Sequence, residues 1–282
     1  MEQHDDRFLS ISEFASLMNT NRKTLLFYDS IDLLKPAYIA PNGYRYYLRE
    51  QVDEATAIKT LSEIGVPLKS ARQYLDSRDI QSAASLLARQ KEALEERIEY
   101  LHFVCDMIDI RMETLEEGTS IESLIELTEE KDFVSFRIIN RGEEIPIFRM
   151  DTPNSSKLDP PDSVRSEYYH VFTEMGIPFG FPFGYLVDNE HLLAREINEA
   201  QGIYFRVKKE SRANSHIPAG TYLVSYDHTP YGQTAFIYER LFDFAEQKHL
   251  TITGDAYEEY QIDELVTVDT QKYLAKIMLK VK

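Results

Sequence analysis

At 282 residues, 43% of them hydrophobic, and with a formal charge of −17, the chain is long enough for two domains plus a connector. It is too acidic to bind nucleic acid indiscriminately. Its single cysteine, Cys105, excludes an internal disulfide and fits a reducing cytoplasm. No apolar run approaches the ~20 residues of a membrane span, and the acidic start MEQHDDRF does not read as a secretory signal.

Residues 11 to 47 come first. Ile11, Phe14, Ala15 and Met18 recur at i, i+3, i+4 and i+7, which predicts a short amphipathic helix. Asn19-Thr20-Asn21 supplies a turn and an N-cap, and Arg22 to Asp29 reads as a second helix opened by the cations Arg22 and Lys23. Two short helices around a polar turn make a helix-turn-helix, whose second helix presents side chains to bases and phosphates. Pro41-Asn42-Gly43 is a turn, and Tyr44-Arg45-Tyr46-Tyr47 reads as the returning strand of a small hairpin, a basic and aromatic wing. Val52 to Ile64 and Leu68 to Leu75 continue as helices broken by Gly65-Val66-Pro67. The competing reading of this head is a winged helix used for protein contacts.

Thr24-Leu25-Leu26-Phe27-Tyr28-Asp29, Leu33-Leu34-Lys35-Pro36 and Asn42-Gly43-Tyr44-Arg45-Tyr46-Tyr47 together resemble the winged-helix domain of MerR-family transcription regulators. Leu26 and Phe27 stand where that family has arginine and tyrosine, which removes a phosphate contact and a hydroxyl donor. The resemblance implies duplex promoter DNA as partner, and Asn21, Arg22, Lys23, Phe27, Tyr44, Arg45, Tyr47, Lys59 and Lys69 are the candidate DNA contacts. Charge is distributed accordingly. Residues 1–80 carry 10 Lys/Arg against 12 Asp/Glu, leaving −15 of the −17 to the remainder. A nearly neutral head binds DNA through clustered cations, in a salt-dependent way.

From Ala84 to Leu115 a heptad runs unbroken. Its d positions are Leu87, Leu94, Leu101, Ile108 and Leu115, and its a positions include Ile98, Cys105 and Met112. One apolar seam on a long helix predicts a partner helix. The MerR resemblance implies that the partner is a second subunit running antiparallel, hence a homodimer; packing on the chain's own C-terminal domain is the alternative. Glu116 to Ser120 is expected to end the helix; a linker spans 118–132, of which residues 121–132 are acidic and read as helical.

The remainder, 133–282, changes texture. Phe133–Asn140, Ile145–Met150, Tyr185–Val187, Ile203–Val207, Tyr222–Tyr226, Ala256–Ile262 and Tyr273–Val281 read as strands, and Asp162–Met175 and Thr234–Gln247 as helices. The order suggests two repeats of strand, helix and paired strands, an α+β sheet around a cleft. Thr251 to Glu258, after the second helix, resembles the Asp-x-Tyr-Glu strand of GyrI-like effector-binding domains in multidrug-sensing MerR regulators. That resemblance implies that Glu258 pairs with a cationic drug and that Tyr273 lines the pocket. Aromatic faces attract cations, so Tyr168, Phe183, Tyr185, Tyr222, Tyr226 and Tyr260 complete the candidate ligand set around Glu258. Strand alternation places Tyr260 beside Glu258, and Tyr257 and Glu259 on the other face. Gly176 to Gly184 is a candidate rim.

The expected architecture is thus multidomain. An α-helical winged helix-turn-helix head spans 1–80, a coiled-coil dimerisation helix 81–117, a linker 118–132 and an α+β GyrI-like effector-binding domain 133–282. The resemblance implies a cytoplasmic activator that distorts promoter DNA for RNA polymerase on binding a lipophilic, cationic effector, with no cofactor. The seven histidines show no metal-ligand spacing, and neither a phosphate loop nor a nucleophile elbow is present. Two other classes remain: a GyrI-like hydrolase using Glu258 with Tyr222, Tyr226 or Tyr273, and a scaffold that binds no DNA.

Overall fold

The computed structural model describes residues 7–76, 78–127, 136–158, 162–176 and 183–282. The chain divides into two compact units, Met1–Ile98 and Glu99–Lys282.

In the first unit, strand β1 (Phe8–Ser10) runs directly into helix α1 (Ile11–Leu17). Ser10 makes that junction: its hydroxyl accepts from the Glu13 N–H at 3.3 Å while the Glu13 carboxylate accepts from the Ser10 N–H at 2.8 Å. This reciprocal cap satisfies two of the orphan donors of a helix start. Asn21 caps α2 (Arg22–Ser30) with a single bond, accepting from the Thr24 N–H at 2.9 Å. The hairpin of β2 (Tyr38–Ile39) and β3 (Arg45–Leu48) joins β1 in a three-stranded sheet, β1-β3-β2. Its turn needs Gly43, which sits at φ +83°. Phe14, Leu25, Leu34, Tyr47 and Ile58 form the core. Helices α3 (Gln51–Glu63) and α4 (Leu68–Asp76) follow, and Leu61, Val66, Ala71 and Leu86 make a smaller cluster between them and the next helix.

That helix, α5, runs without interruption from Ile80 to Leu127. The expected end at 116–120 is corrected. Thr119, Ser120 and Ser123 return their hydroxyls to the carbonyls of Leu115, Glu116 and Thr119 at 2.9, 2.9 and 3.0 Å. Polar side chains that break a helix elsewhere are here absorbed by its own backbone. Gly118 is retained for closeness: a Cβ there would stand 3.2 Å from Gln261 and Ile262.

The second unit is built on an eight-stranded antiparallel sheet in the order β4-β9-β11-β10-β6-β7-β5-β8. The strands are β4 (Phe136–Arg141), β5 (Ile145–Ser156), β6 (Gly184–Val187), β7 (Glu199–Arg206), β8 (Ser215–Ile217), β9 (Gly220–His228), β10 (Ile252–Ile262) and β11 (Leu274–Val281). Helices α6 (Asp162–Met175), α7 (Asn189–Ala194) and α8 (Ala235–Gln247) complete it. The anticipated repeat is visible in the pairing. β5-α6-β6-β7 and β9-α8-β10-β11 are each a strand, a helix and two strands, and in each the last strand lies between the other two. The halves meet where β6 pairs with β10, with Tyr185 directly opposite Glu258. Three short elements have no counterpart in the sequence reading: β1, β8 and α7. Each has six residues or fewer, too short to show a period.

One face of the sheet packs on α8 through Val187, Ile237, Tyr238, Leu241, Ala256 and Ile277. The other carries Tyr204, Tyr222, Val224, Tyr226, Tyr257 and Met278 together with Ile121 of α5. Among the described residues no helix is long and apolar enough to cross a membrane.

Candidate functional site

In the head, Asn21, Arg22 and Lys23 stand exposed at the start of α2. A groove of ≈ 410 Å³ between that helix and the wing is lined by Ile11, Arg22, Leu26, Asn42, Gly43, Tyr44 and Arg45. Tyr44, in its lining, is 61% exposed, and Phe27 on the same helix α2 is 49% exposed. Arg45 is tied down: its Nε donates to Asp29 Oδ2 at 2.8 Å, bracing the wing on α2 while its side chain stays a third exposed. Lys69 is exposed on α4. Lys59 is occupied, its ammonium donating to the Met18 and Asn19 carbonyls at 3.1 and 3.4 Å beyond the end of α1.

Tyr47 must be withdrawn from the DNA-facing set. It is fully buried and stacks on Phe14, ring centroids 4.7 Å apart. Burial pushes its phenol up to about 12. In the wing strand Tyr44 and Tyr46 alternate with Arg45 and Tyr47, and the last of these turns to the core.

Along α5, Leu87, Leu94, Ile98, Leu101, Ile108 and Met112 are 44–54% exposed, Cys105 is exposed and Leu115 half-buried. The heptad seam is therefore not what holds this helix in the second unit. Phe103, Met107, Ile110, Thr114 and Ile121, all buried, form a separate stripe. The sequence reading missed this stripe because a regular heptad beside it dominated the pattern.

The second unit gathers its charges on β10. Glu258 is wholly buried. Its Oε2 accepts from Lys157 Nζ at 2.8 Å, from the Thr234 hydroxyl at 2.9 Å and from the Tyr238 hydroxyl at 3.4 Å. Thr234 begins α8 but spends its hydroxyl on Glu258 rather than on the helix backbone, and the positive end of that helix favours an anion here. Lys157 Nζ also lies 4.7 Å from the centre of the Tyr238 ring. Burial, more than the neighbouring carboxylate, raises the Tyr238 phenol far above its ordinary value, so it stays a neutral donor. Tyr260 and Tyr273 share this face with Tyr231 between them, at 4.4 and 5.2 Å between ring centroids. Tyr185 lies opposite Glu258 and donates to the Lys157 carbonyl at 3.4 Å, and Phe183 packs edge-on against it at 5.3 Å. Lys157, Thr234, Tyr238 and Tyr231 were not picked out in the sequence, where nothing local marks a lysine in a turn.

Tyr222 and Tyr226 do not join this group. Their strand register aligns them with Lys280 and Lys276, on the face that carries Tyr257 and Glu259. This corrects their place in the ligand set and separates both from Glu258 as a hydrolytic pair. The Tyr168 side chain and residues 177–182 of the anticipated rim lie outside the described residues.

On that reverse face Glu259 accepts from the Tyr204 hydroxyl at 3.1 Å and pairs with Arg206 at 3.5 Å. Burial alone would raise its carboxyl, but Arg206, Lys276 and the Tyr204 hydrogen bond hold it below the usual range. Glu117 of α5 takes Lys276 Nζ at 2.7 Å and the Tyr226 hydroxyl at 2.5 Å, and Arg111 pairs with Asp263. Among the described residues no cluster of His, Cys, Asp or Glu is arranged to hold a metal ion.

Residues 9–78 match the MerR HTH family regulatory protein domain. Over its whole length the chain is 28% identical to the multidrug-efflux transporter 2 regulator of Bacillus subtilis, covering 99% of that protein. It is 26% identical to the multidrug-efflux transporter 1 regulator of the same organism, over 90% of each chain. A cryo-EM structure of an EcmrR–DNA complex aligns with a TM-score of 0.40 at 18% identity, over 97% of this chain and 99% of that one. Both relatives are regulators of multidrug-efflux transporters.

Proposed function

Because residues 9–78 of this chain are a MerR-family DNA-binding head, we propose that the whole chain is a ligand-responsive transcription regulator of the multidrug-sensing type. In this reading a cytoplasmic homodimer holds promoter DNA with its two heads (residues 1–80), pairs through α5 in antiparallel fashion, and senses an effector with a GyrI-like domain over 133–282. The effector is a lipophilic cation, and its binding favours a dimer shape that bends and untwists the promoter so that RNA polymerase engages it. Full-length similarity to two regulators of multidrug-efflux transporters supports this assignment.

The observation that carries the cationic part is Glu258, a carboxylate buried beneath Tyr238, Tyr260 and Tyr185 at the junction of the two half-domains. A buried carboxylate demands a positive charge; here Lys157 supplies one, and aromatic faces add attraction for a cation that takes its place. Asn21, Arg22, Lys23, Phe27, Tyr44, Arg45 and Lys69 would face the duplex. The exposed seam Leu87, Leu94, Ile98, Leu101, Cys105, Ile108, Met112 and Leu115 would be covered by the partner's helix. Titrating the full-length protein with rhodamine 6G tests the sensing half. Saturable binding that falls at least several-fold in Glu258→Gln is expected. Equal binding by wild type and variant would reject it.

A further inference from the structure

The cation that meets Glu258 in this fold belongs to the chain itself. Lys157 Nζ sits 2.8 Å from Glu258 Oε2, 3.2 Å from Thr234 Oγ1 and 4.7 Å from the centre of the Tyr238 ring. A carboxylate, a hydroxyl acceptor and an aromatic face are the three groups that recognise a free organic ammonium ion. All three stand on the frame of the domain: Glu258 on β10, Thr234 at the start of α8 and Tyr238 within it. The lysine comes from elsewhere, an irregular turn just beyond β5.

That turn is held by its main chain. The Lys157 N–H donates to the Asn198 carbonyl at 3.1 Å, and the Tyr185 hydroxyl donates to the Lys157 carbonyl. Gly232 lets it seat closely, since a Cβ there would come within 2.7 Å of the Lys157 oxygen. None of these main-chain contacts engages the four-methylene stem, which is itself buried beside Glu258. The pair also uses only half of the carboxylate. Glu258 Oε1 is buried and meets no hydrogen-bond partner among the described residues. A buried ion pair left half-satisfied is a poor source of stability.

We propose that Lys157 is a tethered occupant of an organic-ammonium site, and that the effector binds by displacing its side chain. The inference rests on the reading of Glu258 as the effector's carboxylate, and it specifies the ligand chemistry: an ammonium bearing N–H donors, on an apolar body that packs against tyrosine rings. Because the tether holds its own ammonium at high effective concentration, an incoming cation binds more weakly than the site's intrinsic affinity by the fraction of time the site is vacant. Lys157 thereby sets the threshold of response.

The test uses the full-length protein and n-propylammonium, which replaces the atoms that Lys157→Ala removes. n-Propylammonium should raise the thermal midpoint of Lys157→Ala, while n-propanol should not, and neither should move wild type or Lys157→Ala/Glu258→Gln. Lys157→Met, which keeps the apolar stem, should bind 4-phenylbutylammonium, a primary ammonium on an apolar body, roughly tenfold or more tightly than wild type. Absence of either effect, or an equal response to n-propanol, overturns the proposal. If Lys157→Ala does not fold, the Lys157→Met affinity decides alone. A wild type whose rhodamine binding ignores Glu258→Gln would instead reject the sensing role, leaving the propylammonium result to judge the tether.

Discussion

Glu258 and Glu259 are neighbours on one strand, both buried, and they face opposite sides of the sheet toward different cations. Glu258 meets Lys157 on the side of α8, and Glu259 meets Arg206 on the side of α5. Period-two alternation sends adjacent side chains to opposite faces, so each carboxylate meets its own cation. It also places the candidate effector carboxylate one peptide from the network on the side of the long helix.

Glu259→Gln should loosen that network. It leaves Arg206 without its buried counter-ion, a loss of about 3 kcal/mol in urea unfolding at neutral pH. The Glu259 carboxyl is held below the ordinary 4.5, so its contribution is fully present above that pH and is lost as the pH falls through the folded-state value. The gap between wild type and variant should therefore close in acid. A gap that widens below pH 4.5 would show that burial, and not Arg206, governs this group.

Arg45 is braced by Asp29 yet a third exposed, which suits a phosphate contact offered from a fixed wing. Arg45→Ala should weaken binding to the chain's own promoter at all sequences and reduce the magnitude of the salt slope by about 1. An unchanged slope would remove the wing arginine from the interface.

Tyr47 should behave as a core residue. Its hydroxyl is buried and meets no partner among the described residues, so Tyr47→Phe should leave DNA affinity unchanged and stability intact or slightly higher. Tyr47→Ala opens a cavity beside Phe14 and should cost about 3–5 kcal/mol. A specific loss of DNA binding in Tyr47→Phe would restore it to the interface.

The seam of α5 is open along Leu94, Ile98, Leu101 and Ile108. Leu101→Asp should convert a dimer to monomers in analytical ultracentrifugation while leaving the Phe103 and Met107 stripe, and hence the fold of the second unit, undisturbed by circular dichroism. A variant that sediments as the wild type would exclude this seam as the subunit contact.

Much of this fold is legible in the sequence because its signals are local. Asn21 announces a helix start, Asn42-Gly43 announces the wing turn, and the Asp162–Met175 helix is read with the bounds it has in the fold. Strand alternation alone placed Glu258 with Tyr260 and against Glu259. What was hidden depended on partners distant in the chain. Lys157 is 101 residues from Glu258, and no spacing links them. Tyr222 and Tyr226 resemble pocket residues by composition, and only the register with β11 turns them to the other face. Residues 116–120 look like a helix stop until their hydroxyls are seen bonding back along the helix.

The central claim is that a promoter-bound dimer is switched by a cation at Glu258, and in vitro transcription tests it most directly. On the chain's own promoter, with RNA polymerase present, adding rhodamine 6G should raise transcript several-fold with wild type. Glu258→Gln should bind the same DNA with unchanged affinity and give no rise. A wild type that leaves transcription unaltered by the cation, or a Glu258→Gln protein that responds as strongly, would contradict the account.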